Sequence, residues 1–289
     1  MPKPPLTLPE QLALVRHRGL QAGESDMLVL YSHNYYRLSG YWRYFQRAPQ
    51  DGDDSYESGT AMVDVMNVYR FDLELRNILL EGLSEVEIAV RSRLAYRLAI
   101  CEAGEQCYLM TATYRSEVDG GGTDQRARLL QSIAAELDRS KERFVTRYRS
   151  MGIPIPIWTA VEALSFGTVS KMYRLLADEP IREQMAKEFE LGTSTRLDTT
   201  LRSMSVLRNV CAHHGRIWNR VPTVPPFVLK SLRVDYDKSI YHQTPWAWFA
   251  VLAHLVSTVR RDSSFGDSLF SFVDDFPQYS QGLKHPHNR

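Results

Sequence analysis

From Thr60 to about Ala103 the chain carries one uninterrupted helical pattern, with Met62, Met66, Tyr69, Leu73, Leu79, Leu83, Val86, Val90 and Leu94 at steps of three, four or six. Apolar residues at that spacing share a helical face, so this segment predicts the spine of the fold. The flanking sequence is helical too, with almost none of the period-two alternation that would make a sheet. Thr7-Leu-Pro-Glu10 reads as a capping box with proline in the first turn, followed by Leu8, Leu12 and Val15 until Gly19 stops the helix. A second short helix is expected from near Ser25-Asp26 into the aromatic stretch Tyr35 to Trp42, and Asp51 to Gly59 reads as a loop.

Beyond Gly120-Gly-Gly122, Asp124 to Met151 predicts a charged helix with Leu130, Ile133 and Leu137 as its apolar edge. The prolines of Ile153-Pro-Ile-Pro-Ile157 forbid a helix there and lead into one from about Trp158 to Ala177. Thr195 to about Ile217 predicts another, with Leu197, Leu201, Met204, Leu207 and Cys211 inward, ended by Val221-Pro-Thr-Val-Pro-Pro226. Thr244-Pro245 is a cap and first-turn proline opening an apolar helix through Val259, and Phe265 to Phe272 adds a short one. No linker or fixed-period repeat divides the chain, which reads as one all-α domain over 1–289.

A hydrophobic share of 44% and a charged share of 24% fit a globular protein, and a net charge of +1 argues against coating nucleic acid by bulk charge. With only 7 lysines, the other 28 basic residues are arginines. A biased source genome accounts for most of that skew. Locally it matters more: between Thr195 and Arg220 stand five arginines, 196, 202, 208, 216 and 220, against the single acid Asp198. The start of the chain lacks the apolar core of a secretion signal and no run reaches the roughly 18 apolar residues of a membrane span, so a cytoplasmic protein is expected. Three cysteines without a Cys-x-x-Cys pair support neither a disulfide framework nor a zinc site.

The densest chemistry is Arg208-Asn-Val-Cys-Ala-His213-His214-Gly-Arg216-Ile-Trp218-Asn219-Arg220. On a helix, Arg208 and His213 would lie about 7.5 Å apart along the axis and about 140° around it. One copy makes a lopsided site, whereas two facing copies make a symmetric cleft with two arginines and two histidines. Such a cleft suits RNA cleavage by the ribose 2′-hydroxyl, with histidine as base and acid and arginine on the phosphorane oxygens. That chemistry needs no metal or other cofactor and refuses DNA. Read blandly, a histidine pair beside a helix end is a cap or a core hydrogen-bonding device, and Trp218 a core anchor.

The segments Lys3-Pro-Pro-Leu-Thr-Leu-Pro-Glu-Gln11, Arg18-Gly-Leu20, Asn34-Tyr-Tyr-Arg-Leu-Ser-Gly-Tyr-Trp42, Tyr69-Arg-Phe-Asp-Leu-Glu-Leu-Arg76, Glu85-Val-Glu-Ile-Ala-Val-Arg91, Trp158 to Lys171 and Arg208 to Asn219 occur in that order. Together they resemble the Abi-like (AbiD/AbiF-type) abortive-infection family of bacteria from Lys3 to about Pro226. The resemblance implies membership of the HEPN superfamily and a likeness to the nuclease domains of RNA-targeting type VI CRISPR effectors. It implies a HEPN-like helical bundle, with a core over about 60–220 and helical extensions over about 1–50 and 227–289. It further implies a homodimeric endoribonuclease in antiphage defence or a toxin–antitoxin pair, with Arg208 and His213 catalytic and Asn209, His214 and Arg216 in support. A small non-coding RNA that restrains toxicity is an implied partner.

Arg202, Arg220, Tyr36 and Arg37 are weaker candidates for RNA contact, the aromatics as stacking surfaces or as packing beneath an N-terminal flap. Glu74, Arg76, Glu85, Glu87 and Arg91 on the long helix read as solvated or mutually paired charges that could also line the cleft. Met62 and Met66 read as core filling. The open alternative is a non-catalytic RNA-binding or protein-interaction module.

Overall fold

The computed structural model describes residues 4–101 and 104–287. Met1 to Lys3 at the start of the N-terminal motif, and Ala103 at the far end of the expected long helix, lie outside the described residues. The helices run, in order, α1 (Leu8–His17), α2 (Asp26–His33), α3 (Tyr35–Trp42), α4 (Met62–Ala99), α5 (Gln125–Arg139), α6 (Arg143–Ser150), α7 (Ile157–Ala163), α8 (Phe166–Leu175), α9 (Glu179–Glu188), α10 (Ser194–Ala212), α11 (Pro245–Arg260), α12 (Ser264–Asp274) and α13 (Ser280–Lys284). The fold is all-α. Its one sheet among the described residues is an antiparallel pair, β1 (Gln46–Ala48) and β2 (Asp53–Tyr56).

Helix α4 is the spine that the periodicity predicts, 38 residues long, with α3, α7, α10, α11 and α12 packed along it. Neighbours on several sides explain why Val65, Val68, Leu75, Leu79, Leu83, Val86, Val90 and Leu94 are all fully buried. Leu73 was expected inward and is instead exposed; Leu75 holds the core position, because the six-residue step from Leu73 to Leu79 overshoots the face. Met62 and Met66 are buried as expected. Helix α12 comes so close at Gly82 that a Cβ there would stand 2.4 Å from Phe265 Cζ. Gly82→Ala should therefore cost about 1–3 kcal/mol, and Gly82→Ala/Phe265→Leu should recover much of it in urea titrations.

Several expected helices are divided. The stretch from Ser25 to Trp42 breaks at Asn34, whose φ is 64° and whose side chain accepts the Tyr36 N–H at 2.9 Å to start α3. Asp124 to Met151 is split at Ser140, which is extended. Trp158 to Ala177 is split at Leu164–Ser165, where the Ser165 hydroxyl caps α8. In each case a side chain that bonds its own backbone offers an alternative to the helical ladder. Helix α9, capped by Asp178 with Pro180 in its first turn, is an addition to the expected helices, and the expected loop from Asp51 to Gly59 holds strand β2, whose partner β1 precedes it. Helix α10 keeps all five of its expected inward residues buried but ends at Ala212, five residues short of Ile217.

Helix α11 begins where expected, with the Thr244 hydroxyl accepting the Ala247 N–H at 3.1 Å. His254 on this helix is held below its ordinary range by burial, which Glu190 and the backbone of Phe189 partly oppose. A lowered folded value favours the neutral ring: its contribution is present above about pH 6.5 and is lost as pH falls through the folded value. His254→Gln should flatten the fall in melting temperature below about pH 6.5, as read by thermal denaturation across pH 5–8.

Candidate functional site

The candidate residues meet where α10 ends. Arg208 sits just before the last turn and His213 is the C-cap, its N–H donating to the Asn209 carbonyl at 3.0 Å. His214 follows in the left-handed region with φ 56°. Its N–H donates to the Cys211 carbonyl at 3.0 Å, and the Gly215 N–H to the Val210 carbonyl at 2.7 Å. These two bonds are the paired closure of a Schellman ending. Gly215 suits its place, since a Cβ would lie 3.0 Å from both the Val210 carbonyl oxygen and Cγ1. The helix thus stops before the histidines, and both side chains are exposed.

Three buried or half-buried groups hold this exposed turn. Asp72 of α4, fully buried, accepts the Trp218 N–H at 2.8 Å and the Ile217 N–H at 3.1 Å, besides the Tyr41 hydroxyl at 2.7 Å and Arg76 Nη1 at 2.5 Å. Burial pushes the Asp72 carboxyl upward, and Arg76, Tyr41 and the two backbone N–H groups oppose it. Arg76, 1% exposed, also reaches the Gly215 carbonyl at 3.4 Å. Arg37 of α3 donates to the His214 carbonyl at 2.8 Å. Trp218 is the core anchor expected, its Nε1 donating to the Tyr279 carbonyl at 3.1 Å.

Arg208 is held from the other side. Its Nε donates to Glu87 Oε2 at 3.1 Å, while Glu87 Oε1 is bound by Arg91, whose guanidinium also donates to the carbonyls of Val161 and Leu164. The Nε bond anchors the guanidinium of Arg208 to the Glu87 carboxylate. Nη1 makes only a 3.4 Å contact with Asn209 Oδ1, and the side chain stays 36% exposed. Arg91 balances the Glu87 charge, so the trio keeps a net positive charge.

Of the five long-helix charges, Glu87 and Arg91 pair with each other and Glu74 is exposed, as expected, whereas Arg76 pairs with Asp72 and Glu85 with Arg260 of α11. Arg76, Glu87 and Arg91 are not solvated: they are buried and support the site. Among the weaker candidates, Arg37 touches the turn, and Tyr36 beside it is 85% exposed. Arg216 stacks on the Tyr44 ring at 4.7 Å, and Arg220 donates to the Arg216 carbonyl at 3.2 Å. Arg202 is exposed on α10 and belongs to none of these contacts around the turn. Cys211 is buried and its thiol is pushed up to about 12 by burial, which leaves no reactive thiolate beside the histidines. No helix among the described residues is long and apolar enough to cross a membrane.

Fold and site define a helical protein whose central helix braces an exposed loop of arginine and histidine. The model of the family described as Abi-like protein matches residues 28–219, and the chain belongs to this family. The match covers α3, α4 and the α10 turn but is narrower than the resemblance from Lys3 to about Pro226; Lys3 to Gln11 and Arg18-Gly-Leu20 lie outside it. No curated protein and no solved structure matches the chain.

Proposed function

We propose that this Abi-like protein is a HEPN-type endoribonuclease of an abortive-infection or toxin–antitoxin system in the bacterial cytoplasm. The observation that carries this reading is the investment of buried polar groups in an exposed turn. Asp72, Arg76, Arg37 and Glu87 hold parts of the segment from Arg208 to Trp218, with Arg91 behind Glu87, and the two histidines of that segment face solvent. A merely structural helix end needs none of that support, whereas a reacting constellation depends on it.

In this reading His213 takes the proton of the ribose 2′-hydroxyl as that oxygen attacks the adjacent phosphorus, and an imidazolium returns a proton to the departing 5′-oxygen. The P–O5′ bond breaks, leaving a 2′,3′-cyclic phosphate and a 5′-hydroxyl. Arg208, anchored through Nε, meets the charge that gathers on the phosphorane oxygens with its Nη donors. Two protomers facing each other supply base and acid from separate histidines, with RNA as the substrate and Asn209, His214 and Arg216 around it. A small RNA encoded with the protein fits the same basic loop as a restraint. Mapping RNA ends in cells expressing the wild type or the His213→Ala variant tests the reading: 5′-hydroxyl ends specific to the wild type support it, and identical end profiles overturn it.

A further inference from the structure

Just beyond the histidines, residues Ile217 to Arg220 form a tight turn, with the Arg220 N–H donating to the Ile217 carbonyl at 3.0 Å and Asn219 at φ 54°. Tyr44 holds this turn by donating its hydroxyl to the Asn219 carbonyl at 3.1 Å. The turn brings two half-buried guanidinium groups together. Arg216 lies over the Tyr44 ring and against Gly40, where a Cβ would stand 3.8 Å from its Nε. Arg220 folds back onto the Arg216 carbonyl.

This pair, like Arg37, lacks the partner that three other arginines of the site possess. Arg76, Arg91 and Arg208 each have a carboxylate partner, but no carboxylate among the described residues pairs with Arg216 or Arg220. Asp72 is the acid whose charge reaches Arg220, and its oxygens are already taken by Tyr41, Arg76 and two backbone N–H groups. Arg216 Nη1 is buried without a hydrogen-bond partner. Burial, and then the neighbouring Arg216, push the Arg220 guanidinium below its ordinary range. Two adjacent cations partly withdrawn from water, one with an orphan donor, are stabilised by an anion that accepts from both.

We infer that Arg216 and Arg220 form a phosphate subsite, which receives a phosphodiester of the RNA strand next to the one held by Arg208 and His213. The planar forks suit two oxygens of one phosphate. The two turns adjoin in sequence, so a strand leaving the histidines passes the pair. The identity of the strand rests on the ribonuclease reading; the affinity for phosphate does not.

Two measurements on the full chain test this. In the first, melting temperature is followed as inorganic phosphate replaces chloride at constant ionic strength. Phosphate should raise it for the wild type and for His213→Ala, and raise it clearly less for Arg216→Gln/Arg220→Gln, which keeps Arg208. In the second, single-stranded RNA binding to His213→Ala is titrated against salt. Adding Arg220→Gln or Arg216→Gln should weaken binding about tenfold at low salt and reduce the log–log slope by about 0.7 per lost phosphate contact. Arg220→Lys should keep the slope.

An equal phosphate shift in wild type and double variant overturns the subsite, as does no shift in the wild type. A phosphate shift clearly larger with the wild-type pair, with unchanged RNA slopes, overturns its use by the strand. If the double variant fails to fold, the single variants and Arg220→Lys decide. Wild-type protein that responds to phosphate through this pair but cuts no RNA defeats the ribonuclease reading and leaves the anion site standing.

Discussion

With EDTA present, wild-type protein should cleave single-stranded RNA, and Arg208→Ala and His213→Ala should each lose about 10²-fold to 10⁴-fold in rate. The two substitutions are well suited to separate chemistry from folding. His213 is exposed and its backbone N–H, not its ring, closes the helix. Arg208→Ala removes one partner of Glu87 and leaves the other, Arg91, in place. Both variants should therefore melt close to the wild type. Mixing the two inactive variants adds a second readout: if sites form across a dimer, mixed dimers place an intact arginine and an intact histidine in new combinations, and some activity returns. Equal cleavage by all three single proteins would sink the assignment, and binding without cleavage by all three would favour the non-catalytic module.

The largest loss of stability is expected at Asp72, far in sequence from the loop that it supports. Asp72→Ala strands the Arg76 guanidinium, 1% exposed, with no counter-charge, and frees the N–H groups of Ile217 and Trp218. Breaking one side of a buried ion pair costs about 3–5 kcal/mol, which is a large part of the stability of an ordinary domain. Removing both charges is far cheaper, because the desolvation of Arg76 disappears with its partner. Asp72→Leu/Arg76→Leu should therefore be clearly more stable than Asp72→Ala in urea titrations. It should still be impaired in RNA cleavage, since Gly215, Ile217 and Trp218 lose their anchors. A double variant no more stable than Asp72→Ala would show that the backbone bonds, rather than the paired charge, dominate.

Much of this arrangement could be read from residue order alone, for identifiable reasons. Thr7, Thr244 and the proline after each announce their helices, because cap and first-turn chemistry are local. The spine showed itself through its apolar spacing, and Arg208 with His213 through density of charge and imidazole. What stayed hidden depends on contacts between distant segments. Whether Asn34 or Ser165 sits within a helix or divides it is decided by what packs beside it, and propensity alone is a weak guide there. Asp72, Arg76, Glu87 and Arg91 lie in phase with Leu75, Leu79, Leu83, Val86, Val90 and Leu94, a sign that these charges face inward. Their spacing of four announced the pairs. It could not say that one pair grips the turn after α10 and the other Arg208, because those partners lie more than a hundred residues further on.

That separation has a consequence for a chain leaving the ribosome. Asp72 and Arg76 emerge long before Trp218, 146 positions after Asp72, can dock. The turn then still lacks the carbonyls of Tyr279 and Gly282, which accept from the Trp218 indole at 3.1 Å and the Asn219 N–H at 2.9 Å. The turn is thus fully secured only once Gly282 has been made, and a chain stopped short of it carries the histidines with part of their support missing.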